Sequence, residues 1–298
     1  MVDINLFIHY YGTDASQIIF EEIVAAIISS GLFAELSRLT VLLSGDQFYL
    51  PRTEDLALIA TKLQLLLPDE WGEGLETRSL RCLHAACEDQ DEDMLVVYLH
   101  TKGATNYTEI SRAWLTYMLD FNIQNWINAI HRLHHGNHDI YGVSWCYADF
   151  GFDPKCSHLA GQLYGHFQGN FWWAKANYIR TLPKPLDGDC RYDAEIWVGL
   201  NHPKVFNVMC APFSLVLAPY TREQYQSYNK FIQKDAIELE IPVEIFEKLK
   251  LVFPELFQHE IPNLTFDQYR EGISWDVRSM EFTNALMKLL ERQDHLRD

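Results

Sequence analysis

The sequence has little positive charge: 24 Lys and Arg residues stand against 41 Asp and Glu residues, a formal net charge of −17 over 298 residues. It also lacks any dense run of Lys and Arg. A duplex nucleic-acid binder needs a basic surface, because its partner carries a phosphate charge on every nucleotide. The composition therefore argues against nucleic acid as a partner and gives no support to a polybasic membrane anchor.

Long apolar runs, a leader sequence and CxxC pairs are also absent. No apolar run approaches the ~20 residues of a membrane-spanning helix. The first residues, MVDINLFIHYYG, lack the basic start and the apolar stretch of a signal peptide. None of the six cysteines belongs to a CxxC pair. We therefore expect a cytoplasmic protein with reduced thiols and no transmembrane segment.

Several well-known nucleotide and nucleophile motifs are missing. The sequence has neither the Gly-rich dinucleotide fingerprint nor a P-loop, which disfavours NAD-dependent enzymes and ATPases. It also lacks the GxSxG elbow of serine hydrolases. Cys156 lies near His158 and His166 in the sequence, but no flanking pattern indicates a catalytic thiol.

What the sequence does contain is an alternation of apolar strands and amphipathic helices. Strands are predicted at Ile4–His9, Leu39–Leu43 and Met94–Leu99, and helical spacing of apolar residues covers 16–36 and 77–89. This order predicts an α/β fold with a mostly parallel, Rossmann-like sheet flanked by helices. With 48% hydrophobic residues, the chain can bury a large core.

The second half of the chain is more varied. Residues 109–135 form a long helical stretch, 139–145 resemble a strand, and 148–165 resemble a loop. We expect one domain over residues 1–212 and a helical C-terminal extension over 213–298. Such an extension is expected to wall a binding site or to provide a homo-oligomeric contact.

Three segments carry a family resemblance: YLHTKG, HFQGNFWWAKANYIRTLP and RYDAEIWV. Together with the strand order over residues 1–210, they resemble glycosyltransferases of the GT-A fold. More narrowly, they are similar to poorly characterised bacterial and viral glycosyltransferase-like proteins. The resemblance implies transfer of a sugar from a nucleotide-sugar donor to a hydroxyl group of a glycan or other acceptor, with inversion, in polysaccharide or glycan synthesis.

The donor site implied by the resemblance lies at the carboxyl ends of the strands. GT-A enzymes hold a divalent ion there with an Asp-x-Asp motif, but this sequence has His100-Thr101-Lys102 instead. Lys102 would neutralise the diphosphate directly. No metal is therefore expected to be obligatory, although Mn²⁺ or Mg²⁺ stays open. The implied donor-binding residues are His9, Tyr11, Asp46, His100, Thr101, Lys102 and Gly103.

The sugar site implied by the resemblance lies around the GNFWW segment. Gly169 would let the backbone approach the sugar, and Asn170 would bond its hydroxyl groups. Because side chains alternate along a strand, one of Trp172 and Trp173 is expected to stack on the sugar while the other packs in the core. The implied sugar- or acceptor-binding residues are His166, Gly169, Asn170, Trp172, Trp173 and Arg191.

The catalytic base implied by the resemblance is one of two carboxylates. Glu195 is the first choice and Asp193 the second, because each stands where inverting enzymes place the group that deprotonates the acceptor. The alternative is that Asp193 caps a helix and Glu195 is an ordinary residue of its first turn.

A histidine cluster and two other functions stay open. His131, His134 and His135 share a helical face, but Asp139 is the only local carboxylate, and a solvated helix end explains them equally well. The alternative functions are a non-catalytic nucleotide- or carbohydrate-binding protein and a nucleotide-sugar hydrolase.

Overall fold

The computed structural model describes residues 2–67, 76–88, 93–186 and 190–208. The predicted helical extension over 213–298 lies outside the described residues, as does the predicted domain boundary at 212.

The described elements alternate between strands and helices for the first hundred residues. The strands are β1 (Ile4–Gly12), β2 (Arg38–Gly45), β3 (Leu63–Leu66), β4 (Leu95–His100), β5 (Ile140–Gly142), β6 (Trp145–Ala148), β7 (Tyr164–Phe167), β8 (Trp172–Lys175) and β9 (Val205–Asn207). The α-helices are α1 (Ser16–Ser29), α2 (Leu32–Glu35), α3 (Thr53–Ile59), α4 (Thr77–Glu88), α5 (Glu109–Leu119), α6 (Trp126–Ile130), α7 (Ala176–Ile179) and α8 (Tyr192–Ile196).

Among the described residues, seven strands form one sheet in the order β3-β2-β1-β4-β8-β5-β9. The first four are mutually parallel, β8 is antiparallel to both of its neighbours, and β5 and β9 are parallel. Helices α1, α3 and α4 connect the four parallel strands, as parallel pairing requires. The predicted α/β fold with a mostly parallel sheet is confirmed. Strands β6 and β7 form a separate antiparallel pair.

The sheet lies between two layers of helices, and β1 shows how its residues divide between them. Leu6 and Ile8 belong to the apolar cluster on the side of α1 and α5, whereas Phe7 packs on the side of α4. Both faces are covered, so a parallel strand of this kind reads as a nearly continuous apolar run. His9 follows Phe7 by two positions and therefore faces α4.

The helix predicted over 16–36 is interrupted at Gly31. Ile19, Ile23 and Ile27 of α1 are buried, as their spacing predicts. Gly31 then adopts a φ of 80°, a left-handed conformation that suits glycine and ends a helix. The chain resumes as the short helix α2.

The predicted strand over 139–145 is two strands with different partners. Strand β5 joins the main sheet beside β8, whereas β6 pairs with β7. Ser144, between them, has a φ of 60° and redirects the chain. The predicted loop over 148–165 contains a helical turn, Pro154–Leu159, and the first residues of β7. In that turn, Asp153 accepts a hydrogen bond from the Lys155 backbone N–H at 2.9 Å.

None of the helices within the described ranges combines the length and the apolar character needed to cross a membrane.

Candidate functional site

The carboxyl ends of β1 and β4 are tied together at one edge of the sheet. His9 and His100 are paired in register on the two adjacent strands. Thr101, directly after β4, donates its backbone N–H to the His9 carbonyl at 3.0 Å and accepts the Tyr11 backbone N–H on its hydroxyl at 2.9 Å. Thr101 is buried, and its hydroxyl accepts the Tyr11 backbone N–H between the two strand ends, so its described contacts are structural.

His9 lies beneath α4 rather than in the solvent. Its side chain is 4% exposed, and Nδ1 is 2.8 Å from the Ser79 hydroxyl. Burial lowers the pKa of His9 to about 4, although the Glu76 carboxylate opposes the shift, so the ring is neutral at pH 7. This burial leaves the His9 ring inaccessible to a nucleotide, so it does not support the donor-binding role implied for His9. Tyr11 is partly exposed, and its donor-binding role stays a prediction.

The buried His9 gives a testable dependence of stability on pH. Between about pH 6.5 and about pH 4 the unfolded chain binds a proton on His9 that the folded chain does not, so stability falls as pH falls through this window. In the His9→Asn variant, we expect the unfolding free energy to depend less steeply on pH there, by up to about 1.4 kcal/mol per pH unit. Urea unfolding of both proteins at a series of pH values measures this difference. Parallel curves would contradict a buried, neutral His9.

His100 is held in one tautomer by the backbone. Its Nε2 is 2.9 Å from the Gly169 carbonyl oxygen, which only accepts hydrogen bonds, so Nε2 carries the hydrogen. Burial lowers the pKa of His100 to about 4, and Lys102 adds to this effect, whereas the Gly169 bond and Glu195 oppose it. Neutral His100 thus joins the end of β4 to the segment before β8.

Glu76 is a central acceptor that the sequence did not reveal. Its Oε1 accepts hydrogen bonds from the Asn170 side-chain amide at 2.7 Å and from the Tyr98 hydroxyl at 3.0 Å, and it lies 3.8 Å from Nδ1 of His100. These partners are up to 94 residues away in sequence. The residue stands alone just before α4, so no local motif marks it.

The backbone conformation of the Gly169–Asn170 turn explains why these two residue types occur there. Both residues have positive φ, 89° and 55°, which favours glycine and asparagine. A methyl group on Gly169 would overlap the Met118 sulfur, so the open face of this glycine is filled by α5 rather than left for a ligand. Asn170 also donates to the Ala194 carbonyl of α8 at 3.3 Å.

The three segments singled out in the sequence are therefore in contact. The His100–Gly169 bond joins the HTKG segment to the GNFWW segment, and the Asn170–Ala194 bond joins the latter to α8. A single ligand-binding pocket lined by all three segments stays a prediction.

Neither tryptophan of the GNFWW segment faces a cleft. Trp172 and Trp173 are both 0% exposed, on opposite faces of β8. Their indole N–H groups donate to the Asn170 side-chain oxygen at 2.8 Å and to the Asn122 carbonyl at 2.9 Å. The expectation that one ring stacks on a sugar is wrong, because helices cover both faces of the sheet at this point.

The two candidate bases on α8 have different surroundings. Asp193 lies 2.8 Å from Nε2 of His158. Glu195, whose side chain is 19% exposed, lies 3.8 Å from Arg191 and close enough to His100 and His166 to raise the pKa of each. Glu195 therefore affects the charge of both histidines at the end of the sheet, whereas Asp193 is paired with His158.

Lys102 approaches the same two histidines from the tip of β4. Its ammonium group opposes protonation of both His100 and His166 and so lowers the pKa of each. The Nζ atom lies 4.2 Å from the centre of the Trp114 ring, which holds the charge by a cation–π contact. Gly103 makes the turn behind it with a φ of 93°.

His166 is buried and paired with a thiol. Its Nε2 lies 3.3 Å from the Cys146 sulfur, and Nδ1 lies 3.3 Å from the Tyr164 carbonyl oxygen. Burial lowers the pKa of His166, and Glu195 opposes this shift. Because His166 is buried and contacts Cys146 and Tyr164, the structure gives no support to direct contact of His166 with a sugar.

Asp46 and Arg191 lie at the margin of this site. Asp46 follows β2 and accepts the Phe48 backbone N–H at 2.9 Å, the turn role that its position allows. Arg191 is exposed and lies over the Tyr192 ring. Their donor- and acceptor-binding roles stay predictions.

The structure contains a disulfide bond between Cys156 and Cys190, whose Cα atoms are 5.1 Å apart. The expectation of reduced thiols is wrong for these two residues. Their separation of 34 positions in the sequence does not predict that these two cysteines pair. The two meet because the Pro154–Leu159 turn packs against the start of α8, where Phe150, Leu159 and Ile196 form an apolar cluster around them.

The histidine cluster near residue 131 is a group of rings in edge-to-face contact at a helix end. The rings of His131 and His135 are 5.6 Å apart, and those of His134 and His135 are 4.8 Å apart. Among the described residues, the three potential ligand atoms that converge belong instead to His158, Cys190 and Asp193. Metal binding by the His131 group has no further support.

No protein-family model and no curated protein matches this chain. Among solved structures, two that align with 78% of it, and with the whole of their own chains, share little sequence. One is a 4-diphosphocytidyl-2C-methyl-D-erythritol synthase, with 8% identity and a TM-score of 0.40. The other is Rv0371c from Mycobacterium tuberculosis H37Rv, with 13% identity and a TM-score of 0.33. At these scores neither likeness bears on function, which has to be argued from the site itself.

Proposed function

We propose that this chain is a glycosyltransferase that moves a sugar from a nucleotide-sugar donor to a hydroxyl group, with inversion. The observation that carries the proposal is the pair of hydrogen bonds from His100 to Gly169 and from Asn170 to Ala194, which brings α8, with Glu195, next to the tip of β4, with Lys102. A carboxylate and an ammonium group therefore belong to segments that meet at the carboxyl end of a parallel strand, where ligands bind in α/β folds.

In the proposed reaction, Glu195 acts as the general base. It takes the proton of the acceptor hydroxyl while the oxygen attacks the anomeric carbon, and the bond to the nucleoside diphosphate breaks. The proton ends on Glu195 and the bonding electrons leave with the diphosphate. Glu195 is preferred to Asp193 because His158 already occupies an oxygen of Asp193.

The leaving diphosphate needs positive charge, and the tip of β4 carries His100-Thr101-Lys102 in place of an Asp-x-Asp motif. Lys102 places an ammonium group there. The nearby Glu76 already accepts hydrogen bonds from Asn170 and Tyr98. We propose that Lys102 neutralises the diphosphate directly, without a metal at this tip.

A panel of UDP-, GDP- and dTDP-sugars, assayed for nucleotide release with and without EDTA, tests the proposal. Release that requires a hydroxyl acceptor and survives EDTA is the expected result. Release to the same extent without an acceptor would instead indicate a nucleotide-sugar hydrolase. Absence of both release and a thermal shift with every nucleotide would contradict an enzyme acting on these donors. Activity lost in EDTA and restored by Mn²⁺ or Mg²⁺ would overturn the metal-free part, with Asp46 the first carboxylate to test.

The Lys102→Ala variant is expected to bind the donor more weakly. Loss of one charge-assisted contact costs about 1.5–3 kcal/mol, or roughly 10- to 100-fold in donor affinity. Calorimetric titration with the donor identified in the panel measures the change. The matched control is Lys102→Arg, which keeps the charge and should lose less. Equal affinity in wild type and Lys102→Ala would remove Lys102 from the donor site.

The biological setting is part of the proposal. The expected acceptor is a glycan or another hydroxyl compound in polysaccharide or glycan synthesis. A cytoplasmic location and a homo-oligomeric contact through residues 213–298 remain predictions. The Cys156–Cys190 disulfide is more typical of an oxidising compartment than of the cytoplasm.

A further inference from the structure

Four side chains of the types that can bind a metal lie together at the disulfide. His158, Cys190 and Asp193 each present one potential ligand atom within 4.8 Å of the others. Cys156 is bonded to Cys190, so its sulfur lies beside the same group. Two short segments supply the four residues: Cys156-Ser157-His158 and Cys190-Arg191-Tyr192-Asp193. A pair of ligands from each of two neighbouring segments is how structural zinc sites are usually assembled.

We propose that reduction of the Cys156–Cys190 disulfide turns this cluster into a structural Zn²⁺ site. Two thiolates, one imidazole and one carboxylate match the donor types that zinc takes in four-coordinate sites. At bond lengths of about 2.0–2.3 Å, tetrahedral ligand atoms lie roughly 3.3–3.8 Å apart. The three ligand atoms of His158, Cys190 and Asp193 lie within 4.8 Å of one another, so side-chain rotations, including those of the two released cysteines, would bring them to this spacing.

Burial in the cluster is uneven in a way that suits metal entry. Cys156 and Cys190 are buried against Phe150, Leu159 and Ile196, which form an apolar shell on one side. His158 has a side chain that is 48% exposed. A zinc site needs both a shielded interior and an access path, and this one has them. The His158–Asp193 contact of 2.8 Å holds the two outer side chains together, and metal binding through these atoms would replace that hydrogen bond.

The chemistry balances with a dithiol as the reductant. The disulfide takes two electrons and two protons and becomes two thiols, and the dithiol leaves as its own disulfide. Each thiol then loses its proton when it binds Zn²⁺, whose oxidation state does not change. The two segments are cross-linked in both states, by a covalent bond when oxidised and by the metal when reduced. The metal cross-link would keep α8 anchored in a reducing compartment. The proposed Zn²⁺ site does not depend on the proposed glycosyltransferase activity.

Cobalt titration of the full-length protein tests the site. The protein is reduced with a phosphine, desalted without oxygen, and titrated with Co²⁺, which replaces zinc and absorbs light. We expect one equivalent to bind with thiolate-to-cobalt charge-transfer bands and a tetrahedral visible spectrum, and Zn²⁺ to displace it. The oxidised protein is expected to show neither feature. Reduced wild-type protein without charge-transfer bands would overturn the proposal.

Variants assign the ligands. Cys156→Ser leaves only the Cys190 thiolate, so it should lower the charge-transfer intensity of this site by about half or more, and His158→Gln should weaken Co²⁺ binding by at least about tenfold. His158→Gln leaves the disulfide in place, so its fold can be verified in the oxidised state before reduction. Matched controls are Cys82→Ser and His134→Gln, which remove another thiol and another histidine and should leave binding unchanged. Unaltered spectra in Cys156→Ser, unaltered affinity in His158→Gln, or loss of binding in either control would place the metal elsewhere and overturn the assignment.

Discussion

Replacement of Glu195 by Gln is expected to lower turnover by about 10²-fold or more while the donor still binds. Gln keeps the size of the side chain but cannot take a proton from the acceptor. The substitution also removes the negative charge that raises the pKa of His100 and His166, so both histidines become harder to protonate and stay neutral. The loss would therefore reflect the missing base rather than a new charge on the histidines. Turnover at saturating donor measures the loss of the base, and calorimetry measures whether the variant still binds the donor.

Asp193→Asn is the matched control for this experiment. Asparagine keeps an oxygen that can accept from His158 and removes only the charge of a pair that is partly open to solvent, so we expect a small change in turnover. A large loss in Asp193→Asn with normal turnover in Glu195→Gln would transfer the role of base to Asp193. Normal turnover in both variants would mean that α8 does not supply the base.

Much of the fold could be predicted because buried parallel strands have a simple sequence pattern. Strands β1, β2 and β4 were located within three residues at each end, since both of their faces are apolar. The boundaries failed where single residues with positive φ redirect the chain, as at Gly31 and Ser144. A glycine in the sequence is only a weak indication of positive φ, because glycine also occurs in other conformations. A serine gives hardly any indication of it.

The candidate site was predicted at the level of segments rather than of side-chain roles. Alternation along β8 correctly puts Trp172 and Trp173 on opposite faces, but it does not reveal that helices cover both faces. His9 and His166 were likewise assigned to ligands by the family resemblance, whereas each has a protein partner, Ser79 or Cys146. Segments that are distant in the sequence bury these side chains, and the local spacing of residues does not predict such burial.

Glu76 is the clearest case of a residue whose importance depends on contacts with residues distant in the sequence. We expect Glu76→Leu to lower the free energy of unfolding by about 2–5 kcal/mol. Leucine leaves the Tyr98 hydroxyl and one bond of the Asn170 amide without an acceptor, and both side chains are almost fully buried. Each buried donor left unpaired costs about 1–3 kcal/mol. Urea unfolding followed by fluorescence measures the change.

Two further variants show whether the cost comes from the unpaired donors. Glu76→Gln keeps an oxygen acceptor and should lose less stability than Glu76→Leu. The double variant Glu76→Leu/Tyr98→Phe removes the orphaned hydroxyl together with its acceptor, so it should be more stable than the sum of the two single changes predicts. Asn170 keeps its bond to Ala194 in every variant, which limits the remaining penalty. Wild-type stability in Glu76→Leu, or strictly additive effects in the double variant, would mean that Glu76 does not hold β4, the Asn170 turn and α8 together.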